Sequence, residues 1–379
     1  MTSTQASAPP ISTSGPRKLL LHIGHHKTGS TSVQYAFATG RVRLAGGRIL
    51  YPAKLTHNYL RRHVDHYAQE GRLLPGAPGM PDLPTIAGRM ARGDYEVAVI
   101  SGEEFEAAEP GQVRAVMTEF FLPHVGDHAV ICYVRPHAGR MLSSFAERMK
   151  LGLFQGTPQM FHARSVQDGR FRYAPGLARW QAVFGAHLRL RPMIRAELAG
   201  GSVLQDFIET GFPDPARVSV APGPAANESL CLEDLVLVRL VQDALAARGP
   251  RLRHAMGWEL AESLARTTRK GAPGTKLMLH KALAEEIRRA YLEDAEALDR
   301  QFFGQRGLFR RDLDRAVDEA LPRAQSYAPE DHFPPETLRV VQVLAAGLDR
   351  MLDHDSGPWP AYLHRLRVQA VHGEGPEGA

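Results

Sequence analysis

Cysteine is scarce in this chain of 379 residues, and no apolar run approaches the length of a membrane span. The only two cysteines, Cys132 and Cys231, lie in apolar surroundings. This pattern favours two buried thiols over a disulfide, and therefore a reducing compartment, the cytoplasm. The longest apolar stretches fall far short of the roughly 18 residues that a transmembrane helix requires. Residues 1–17 lack the apolar centre of a signal peptide, so we expect a disordered tail there.

Charge of either sign is also limited. The chain has 46 Lys and Arg against 41 Asp and Glu, which gives a formal net charge of +5. Such a mild excess favours anionic ligands such as nucleotides or acidic glycans, but it does not indicate a nucleic-acid partner. The hydrophobic content of 44% and the charged content of 23% are typical of a globular protein.

The first predicted strand and helix carry the strongest chemical signal. A buried strand is predicted at 19–23, a helix is predicted from Ser30 onward, and a loop with Gly24 and Gly29 joins them. Backbone N–H groups and the positive end of the helix dipole converge on such a loop, which makes it an anion site. The spacing is close to that of a Walker A loop. However, Ser30 stands where an NTPase has its lysine, and the lysine lies inside the loop as Lys27.

Two adjacent carboxylates follow a later predicted strand. Residues 96–101 form a continuous, β-branched run that is typical of a buried parallel strand, and Glu103 and Glu104 come almost directly after it. The carboxyl ends of parallel strands are where α/β folds place their chemistry. Sequence position leaves open which of the two carboxylates faces the cleft.

A third strand–helix junction carries an arginine and a serine. Residues 128–134 predict a buried strand, Arg135 ends it, and Ser143 follows eight residues later in the next predicted helix. Arginine offers a rigid and permanently charged fork to a phosphate dianion. A serine hydroxyl can add a short hydrogen bond to the same group.

Together these motifs resemble the sulfotransferases that use PAPS (3′-phosphoadenosine 5′-phosphosulfate). In that family a Lys-x-Gly-[Ser/Thr]-[Ser/Thr] loop wraps the phosphosulfate, and an Arg and a Ser at the spacing of Arg135 and Ser143 grip the 3′-phosphate. The resemblance covers roughly residues 18–300, where further stretches at 188–207 and 227–230 are similar to bacterial members. It implies a three-layer α/β/α sandwich with a central, mainly parallel sheet, like that of P-loop NTPases.

The resemblance also implies an activity and a set of roles. A sulfuryl group would pass in line from PAPS to an acceptor hydroxyl, on a carbohydrate or glycolipid by analogy, without a metal ion. Lys27 would stabilise charge on the bridging oxygen, and Glu103 would be the base that takes the acceptor proton. The 5′-phosphosulfate would be bound by Lys27 and the residues after it: Thr28, Gly29, Ser30, Thr31 and Ser32.

Several roles stay open at this stage. Glu104, His25 and His26 are rival bases, whereas the alternation around His22 favours a core histidine. A basic segment at 269–271 could close over the 3′-phosphate, or it could simply end a helix with a glycine.

Two other functions compete with the sulfotransferase interpretation. A P-loop kinase or NTPase would need a lysine after Gly29 and a carboxylate for Mg²⁺. A non-catalytic protein could keep the same fold to bind sugars or protein. Basic residues in two stretches could contact an acidic glycan, although isolated surface charges are usually only solvated; they are Arg61, Arg62, His63, Arg148, Lys150 and Arg164.

The rest of the chain predicts an α/β half up to about residue 226, followed by a C-terminal helical region. We expect one sulfotransferase-like domain at 18–325, a helical extension at 326–371 and a polar tail at 372–379. A helix is predicted at 109–122, a loop at 154–169 and a linker at 212–226. No fixed-period repeat is visible.

Overall fold

The structure, a computed structural model, describes residues 17–223, 230–267, 274–354 and 357–373. Nearly all of the predicted N-terminal tail, residues 227–229 and the basic segment 269–271 lie outside these ranges.

The described residues contain seven strands. They are β1 (Lys18–His22), β2 (Val42–Leu44), β3 (Ile49–Leu50), β4 (Val97–Ser101), β5 (Asp127–Val134), β6 (Leu188–Pro192) and β7 (Val218–Val220). Five of them form a parallel central sheet in the order β3-β4-β1-β5-β6, and β2 pairs with β7 in a small antiparallel sheet.

Fourteen α-helices complete the described part of the chain. The first seven are α1 (Ser30–Ala38), α2 (Leu60–Glu70), α3 (Leu83–Arg92), α4 (Pro110–Val116), α5 (His137–Lys150), α6 (Pro158–Gln167) and α7 (Ala174–Phe184). The remaining seven are α8 (Val203–Gly211), α9 (Leu232–Ala244), α10 (Pro250–Arg266), α11 (Lys281–Gln301), α12 (Leu308–Asp318), α13 (Pro335–His354) and α14 (Trp359–His372).

The central strands are buried on both faces, and alternate side chains enter opposite layers. In β1, Leu19 and Leu21 pack with helices α3, α4, α5 and α7, whereas Leu20 packs with α1 and α8. This double burial explains why the strands read as continuous apolar runs. The fold is therefore α/β, as predicted, with a parallel five-stranded sheet between two helical layers.

The strand order brings three predicted site segments to one edge of the sheet. β1 lies between β4 and β5, and His22 at the end of β1 pairs with Ser101 on one side and Ile131 on the other. The chain leaves β1 towards β3 and β4 and later crosses to β5, so the strand order reverses at β1. Crevices at such reversal points are where open α/β sheets bind ligands.

Two local predictions are wrong, and a third holds with an irregularity. The supposed loop at 154–169 contains α6, which starts after Thr157, whose hydroxyl caps the helix by accepting the N–H of Met160 at 3.3 Å. The helix predicted at 109–122 is confirmed, although it is α-helical only in α4 and continues as a π-helical turn at Met117–Phe121. The supposed linker at 212–226 contributes β7, which is held by β2.

The cysteines match the expectation only in part. Cys132 is fully buried in β5. Cys231 is half-buried and caps α9, where its Sγ accepts the N–H of Asp234 at 3.4 Å. No helix in the described ranges combines the length and the apolar composition that a membrane crossing requires.

The C-terminal helices fold back over the α/β half. α11 packs on α5 and α7, α13 packs on α9, and α14 packs on α10. From α14, the Nε of Arg367 donates to the hydroxyl of Tyr35 at 3.1 Å, and His372 bonds the carbonyl of Lys54 at 2.8 Å. The last described helix thereby reaches α1 and the segment after β3.

Candidate functional site

A cleft of about 2430 Å³ opens at the carboxyl edge of the sheet. It collects the residues that follow β1, β4 and β5, and it is closed on the other side by α10 and α14. All but one of the predicted site residues line it: Lys27, Gly29, Ser30, Thr31, Ser32, Glu103, Arg135 and Ser143. The exception is Thr28, whose side chain is fully buried and donates to the carbonyl of His25 at 2.5 Å.

The loop after β1 takes a conformation that few residues adopt. Lys27 has φ 64° and Gly29 has φ 81°, so both lie in the left-handed region. For a lysine this conformation is uncommon, and such residues cluster at ligand-binding sites. Gly29 is also the N-cap of α1, which has no side-chain cap. The amino end of α1 has the free N–H groups that an anion site of the predicted kind would use.

The ammonium group of Lys27 is held by a carboxylate from α5. Its Nζ lies 3.2 Å from Oε2 of Glu147, and Nζ of Lys150 lies 2.7 Å from the same oxygen. Burial alone raises the pKa of Glu147, but the charges of Lys150 and Lys27 outweigh it and the pKa is lowered. Glu147 is thus an ionised bridge between two lysines.

Glu103 contacts the segment that joins β1 to α1, residues 23–29, which we call the anion loop. Its Oε2 accepts a 2.7 Å hydrogen bond from the hydroxyl of Ser30, and its Oε1 lies 3.6 Å from Nδ1 of His26. Its backbone N–H donates to Oδ1 of Asn58 at 2.8 Å, which fixes the turn after β4. The neighbouring Glu104 is more exposed and lies 3.8 Å from Nε2 of His26.

The pKa values of this group are coupled. Burial alone raises the pKa of Glu103, but hydrogen bonds and charge from His26, together with Ser30 and Lys27, bring it down to about 2. In return, burial lowers the pKa of His26, but the hydrogen bond and charge of Glu103 outweigh it and the pKa is raised. Glu103 is therefore a firmly ionised carboxylate paired with a histidine that readily holds a proton.

A second carboxylate, that of Glu106, also holds the anion loop in place. Glu106 accepts the backbone N–H of His26 at 2.9 Å and pairs with the guanidinium of Arg140 at 3.0 Å. Arg140 also donates to the carbonyl of His26. Because the His26 N–H is already used, it is not one of the donors that can serve a ligand. Burial lowers the pKa of His25 to about 4 despite the charge of Glu106, so His25 is neutral near pH 7.

Arg135, just before α5, and Ser143, near the middle of α5, both line the cleft. Arg135 is half-buried, and its Nη1 donates to the carbonyl of Lys27 at 3.0 Å. Burial and the charge of Arg140 lower its pKa, but the guanidinium stays charged. A Cβ on Gly139 would lie 3.3 Å from Nε of Arg135, so the glycine lets the guanidinium lie close to the helix. Arg135 therefore connects the loop to the predicted phosphate site.

His22 is a core residue, in line with its alternation in the sequence. It is fully buried, and its Nδ1 lies 2.8 Å from Oγ of Ser101. A Cβ on Gly24 would lie 2.5 Å from Nε2 of His22, so a glycine is required where the chain turns out of β1.

Residues that the sequence did not single out complete the cleft. Glu106 and Arg140 brace the loop, while Trp258 of α10 and Arg367 of α14 form the opposite wall. Glu147 could have been found from the sequence, because it lies four residues after Ser143 on the same face of α5. Trp258 and Arg367 carry no comparable signal, since only tertiary packing brings α10 and α14 here.

Metal ligation finds no support in the ranges that the structure describes, where no three His, Cys, Asp or Glu side chains are grouped as ligands. Comparison of the chain with protein families, curated proteins and solved structures gives no significant match.

Proposed function

We propose that the protein is a PAPS-dependent sulfotransferase that transfers a sulfuryl group to an acceptor hydroxyl. One observation carries the proposal: Lys27, Glu103, Arg135 and Ser143 come from three strand ends and line one cleft. They are four of the nine site residues that the resemblance selects, and they lie up to 116 positions apart in the sequence. The fold assignment that goes with the proposal is a P-loop-like sandwich.

The donor set fits a phosphosulfate and a 3′-phosphate. α1 presents an amino end without a side-chain cap, and Lys27, Thr31 and Ser32 line the cleft beside it. A helix amino end with neighbouring N–H and O–H groups binds one or two negative charges well. Arg135 and Ser143 would hold the 3′-phosphate, which is the group that distinguishes PAPS from ATP.

Bound PAPS would supply a sulfuryl group that is activated as a mixed anhydride with phosphate. Lys27 would turn its ammonium group from Glu147 towards the oxygen on which negative charge develops. Lys150 makes this movement inexpensive, because Glu147 keeps that partner at 2.7 Å. Arg135 would keep the loop in place through the Lys27 carbonyl while it binds phosphate.

Glu103 would accept the proton of the acceptor hydroxyl. The low pKa of about 2 makes it a weak base in the protein alone. An anionic ligand on the neighbouring loop would raise that pKa towards the useful range, because like charges disfavour ionisation. His26 would orient the carboxylate and could pass the proton on to solvent.

The test is calorimetric titration with PAP, the desulfated product, at fixed salt, beside ATP with Mg²⁺ and beside 5′-AMP. We expect metal-independent binding of PAP that is tighter than that of 5′-AMP. Arg135→Ala should lose about tenfold or more, as expected for charged hydrogen bonds. Arg164→Ala, an exposed arginine outside the cleft, is the matched control and should bind PAP like the wild type.

Three outcomes would separate the alternatives. Binding of ATP with Mg²⁺ and indifference to PAP would favour a kinase or NTPase. PAP binding without transfer of sulfate to any acceptor in a broad screen would favour a non-catalytic binding protein. Equal affinity for PAP and 5′-AMP would remove the 3′-phosphate site from the proposal.

A further inference from the structure

The wall of the cleft opposite the anion loop is built around one tryptophan and two cations. The ammonium of Lys150 lies 3.7 Å from the centroid of a ring of Trp258, and the guanidinium carbon of Arg367 lies 4.2 Å from it. Both distances are within the range of a cation–π interaction. Arg367 is further fixed by its hydrogen bond to Tyr35. The two cations are therefore positioned by the fold, unlike solvated surface charges.

The charges around this tryptophan do not cancel. Glu147 is shared between Lys27 and Lys150, and Arg367 makes no ion pair within 4.0 Å with a carboxylate in the described ranges. Lys27, Lys150 and Arg367 thus bring three cationic side chains to the region of Glu147, while Glu262, which also lines the cleft, pairs with Arg266 at 2.9 Å. Lys150 is only 8% exposed, so its charge is poorly screened by water.

Two histidines lie in the same positively charged region of the cleft. His254 and His364 line the cleft beside Trp258. Burial and the charge of Arg367 lower the pKa of both histidines. Removing a negative charge from water is least costly where such an excess of positive charge already exists.

We propose that Lys150, Arg367 and Trp258 form an anion-binding subsite that takes an acidic group of the acceptor. This inference rests on the proposed function, because it assigns the second substrate of that reaction. The subsite adjoins Lys27 through Glu147, so an acid bound there keeps the acceptor close to the transfer centre. The acceptor is accordingly an anionic molecule that carries a carboxylate, sulfate or phosphate near the hydroxyl to be modified.

There is room for the body of such an acceptor. A second cavity of about 450 Å³ lies between α10 and α14 and shares Trp258 and Arg367 with the main cleft. Its size is in the range of small-molecule sites. Pro250, Pro360 and Leu363 give it an apolar part, and its charged lining includes Arg251, Glu259 and Glu262 besides Arg367.

The experiment is titration of the PAP-saturated protein with two matched pairs of probes. One pair is a glucuronate-containing tetrasaccharide and its carboxyl-reduced form, and the other is phenyl phosphate and phenol. We expect an acidic member of at least one pair to bind roughly tenfold or more tightly than its neutral counterpart. The pair that shows the difference identifies whether the acceptor is a glycan or a small aromatic acid.

Variants locate the effect. Arg367→Ala should remove the preference for the acidic probe, and Arg367→Lys should keep most of it. Arg350→Ala, an exposed arginine of α13 outside the cleft, should change neither affinity. Thermal unfolding of each variant checks that the helices remain folded.

The subsite proposal is overturned if neither acidic probe is preferred, if the preference survives in Arg367→Ala, or if the acidic probe competes with PAP. The last result would assign these cations to the cofactor. Failure of PAP to bind would instead remove the proposed function. The same titrations without PAP would then still show whether Arg367 selects an acid.

Discussion

The hydroxyl of Ser30 donates a 2.7 Å hydrogen bond to the carboxylate of Glu103. This bond joins the first residue of α1 to the turn after β4, and it aims the carboxylate at the place where the anion loop meets the cleft. Within the described ranges, Glu104 makes no such hydrogen bond, and its nearest charged partner is Nε2 of His26 at 3.8 Å. The structure thus separates two carboxylates that the sequence leaves equivalent.

Glu103→Gln should lower the turnover of sulfuryl transfer by roughly 10²–10⁴-fold, the usual contribution of a general base. The amide side chain of this variant keeps the size of the carboxylate and one acceptor for the Ser30 hydroxyl, so PAP affinity should change little. Glu104→Gln is the matched control and should stay within a few-fold of the wild type. Measurement of kcat for both variants tests the assignment, and a larger loss in Glu104→Gln would transfer the role to that residue.

Lys27→Ala should lower kcat by roughly 10²–10³-fold, as expected when a donor to the developing charge is removed. The free energy of unfolding should change by no more than about 1 kcal/mol, because Glu147 keeps Lys150 as its partner at 2.7 Å. Lys150→Ala removes the closer partner of Glu147, so it should lower the free energy of unfolding more than Lys27→Ala does. Urea unfolding and initial rates, measured on both variants, check the two claims. Full activity in Lys27→Ala would rule out the proposed mechanism.

Much of the fold could be predicted because the central strands are buried on both faces. Such strands appear in sequence as short apolar runs, as at β1, β4 and β5. The helix α6 was missed because its buried face includes His162 and Ser165 beside Phe161, which hides the apolar period. β7 was missed because it is a three-residue edge strand with two exposed residues.

Part of the candidate site could likewise be predicted from the sequence, and part of it could not. Lys27, Arg135 and Ser143 could be selected because the motifs in which they lie resemble those of sulfotransferases and follow predicted strand ends. The opposite wall could not, because Trp258 and Arg367 belong to helices whose packing depends on tertiary contacts. Sequence spacing also could not show that Thr28 turns inward.

Gly24→Ala should destabilise the protein by about 1–3 kcal/mol, the usual cost of overpacking. The added Cβ would lie 2.5 Å from Nε2 of His22, whose ring is fixed by Ser101 and packs against Phe207. Gly111→Ala is the control, because a Cβ there meets open space at the start of α4. Urea unfolding of both variants measures the difference. Equal stability of the two variants would show that His22 can move aside.

Stability should fall as the pH is lowered from about 6.5 towards 4, because at least four buried histidines resist protonation, namely His22, His25, His57 and His128. Burial lowers the pKa of His22 and His25 to about 4 and that of His57 to about 3. The unfolded chain takes up these protons from the ordinary value of 6.5 downwards, whereas the folded protein does not. The stabilisation is therefore complete above pH 6.5 and is lost progressively below it. Glu103 and Glu106 have pKa values of about 2, so the stabilisation that they contribute is lost only below about pH 4.5.

His57→Asn should reduce the loss of stability that occurs as the pH falls. The Nδ1 of His57 accepts the N–H of Ser101 at 3.1 Å, and the amide oxygen of asparagine can take that role without binding a proton. At pH 4.5 the linkage from one such histidine is on the order of 2–3 kcal/mol. Urea unfolding between pH 7.5 and 4.5 should therefore show a shallower loss of stability in His57→Asn, whatever its stability at pH 7.5. Gly111→Ala, which removes no titratable group and adds a Cβ in open space, should retain the slope of the wild type. Parallel pH curves for the wild type and His57→Asn would mean that His57 is protonated equally in the folded and unfolded states.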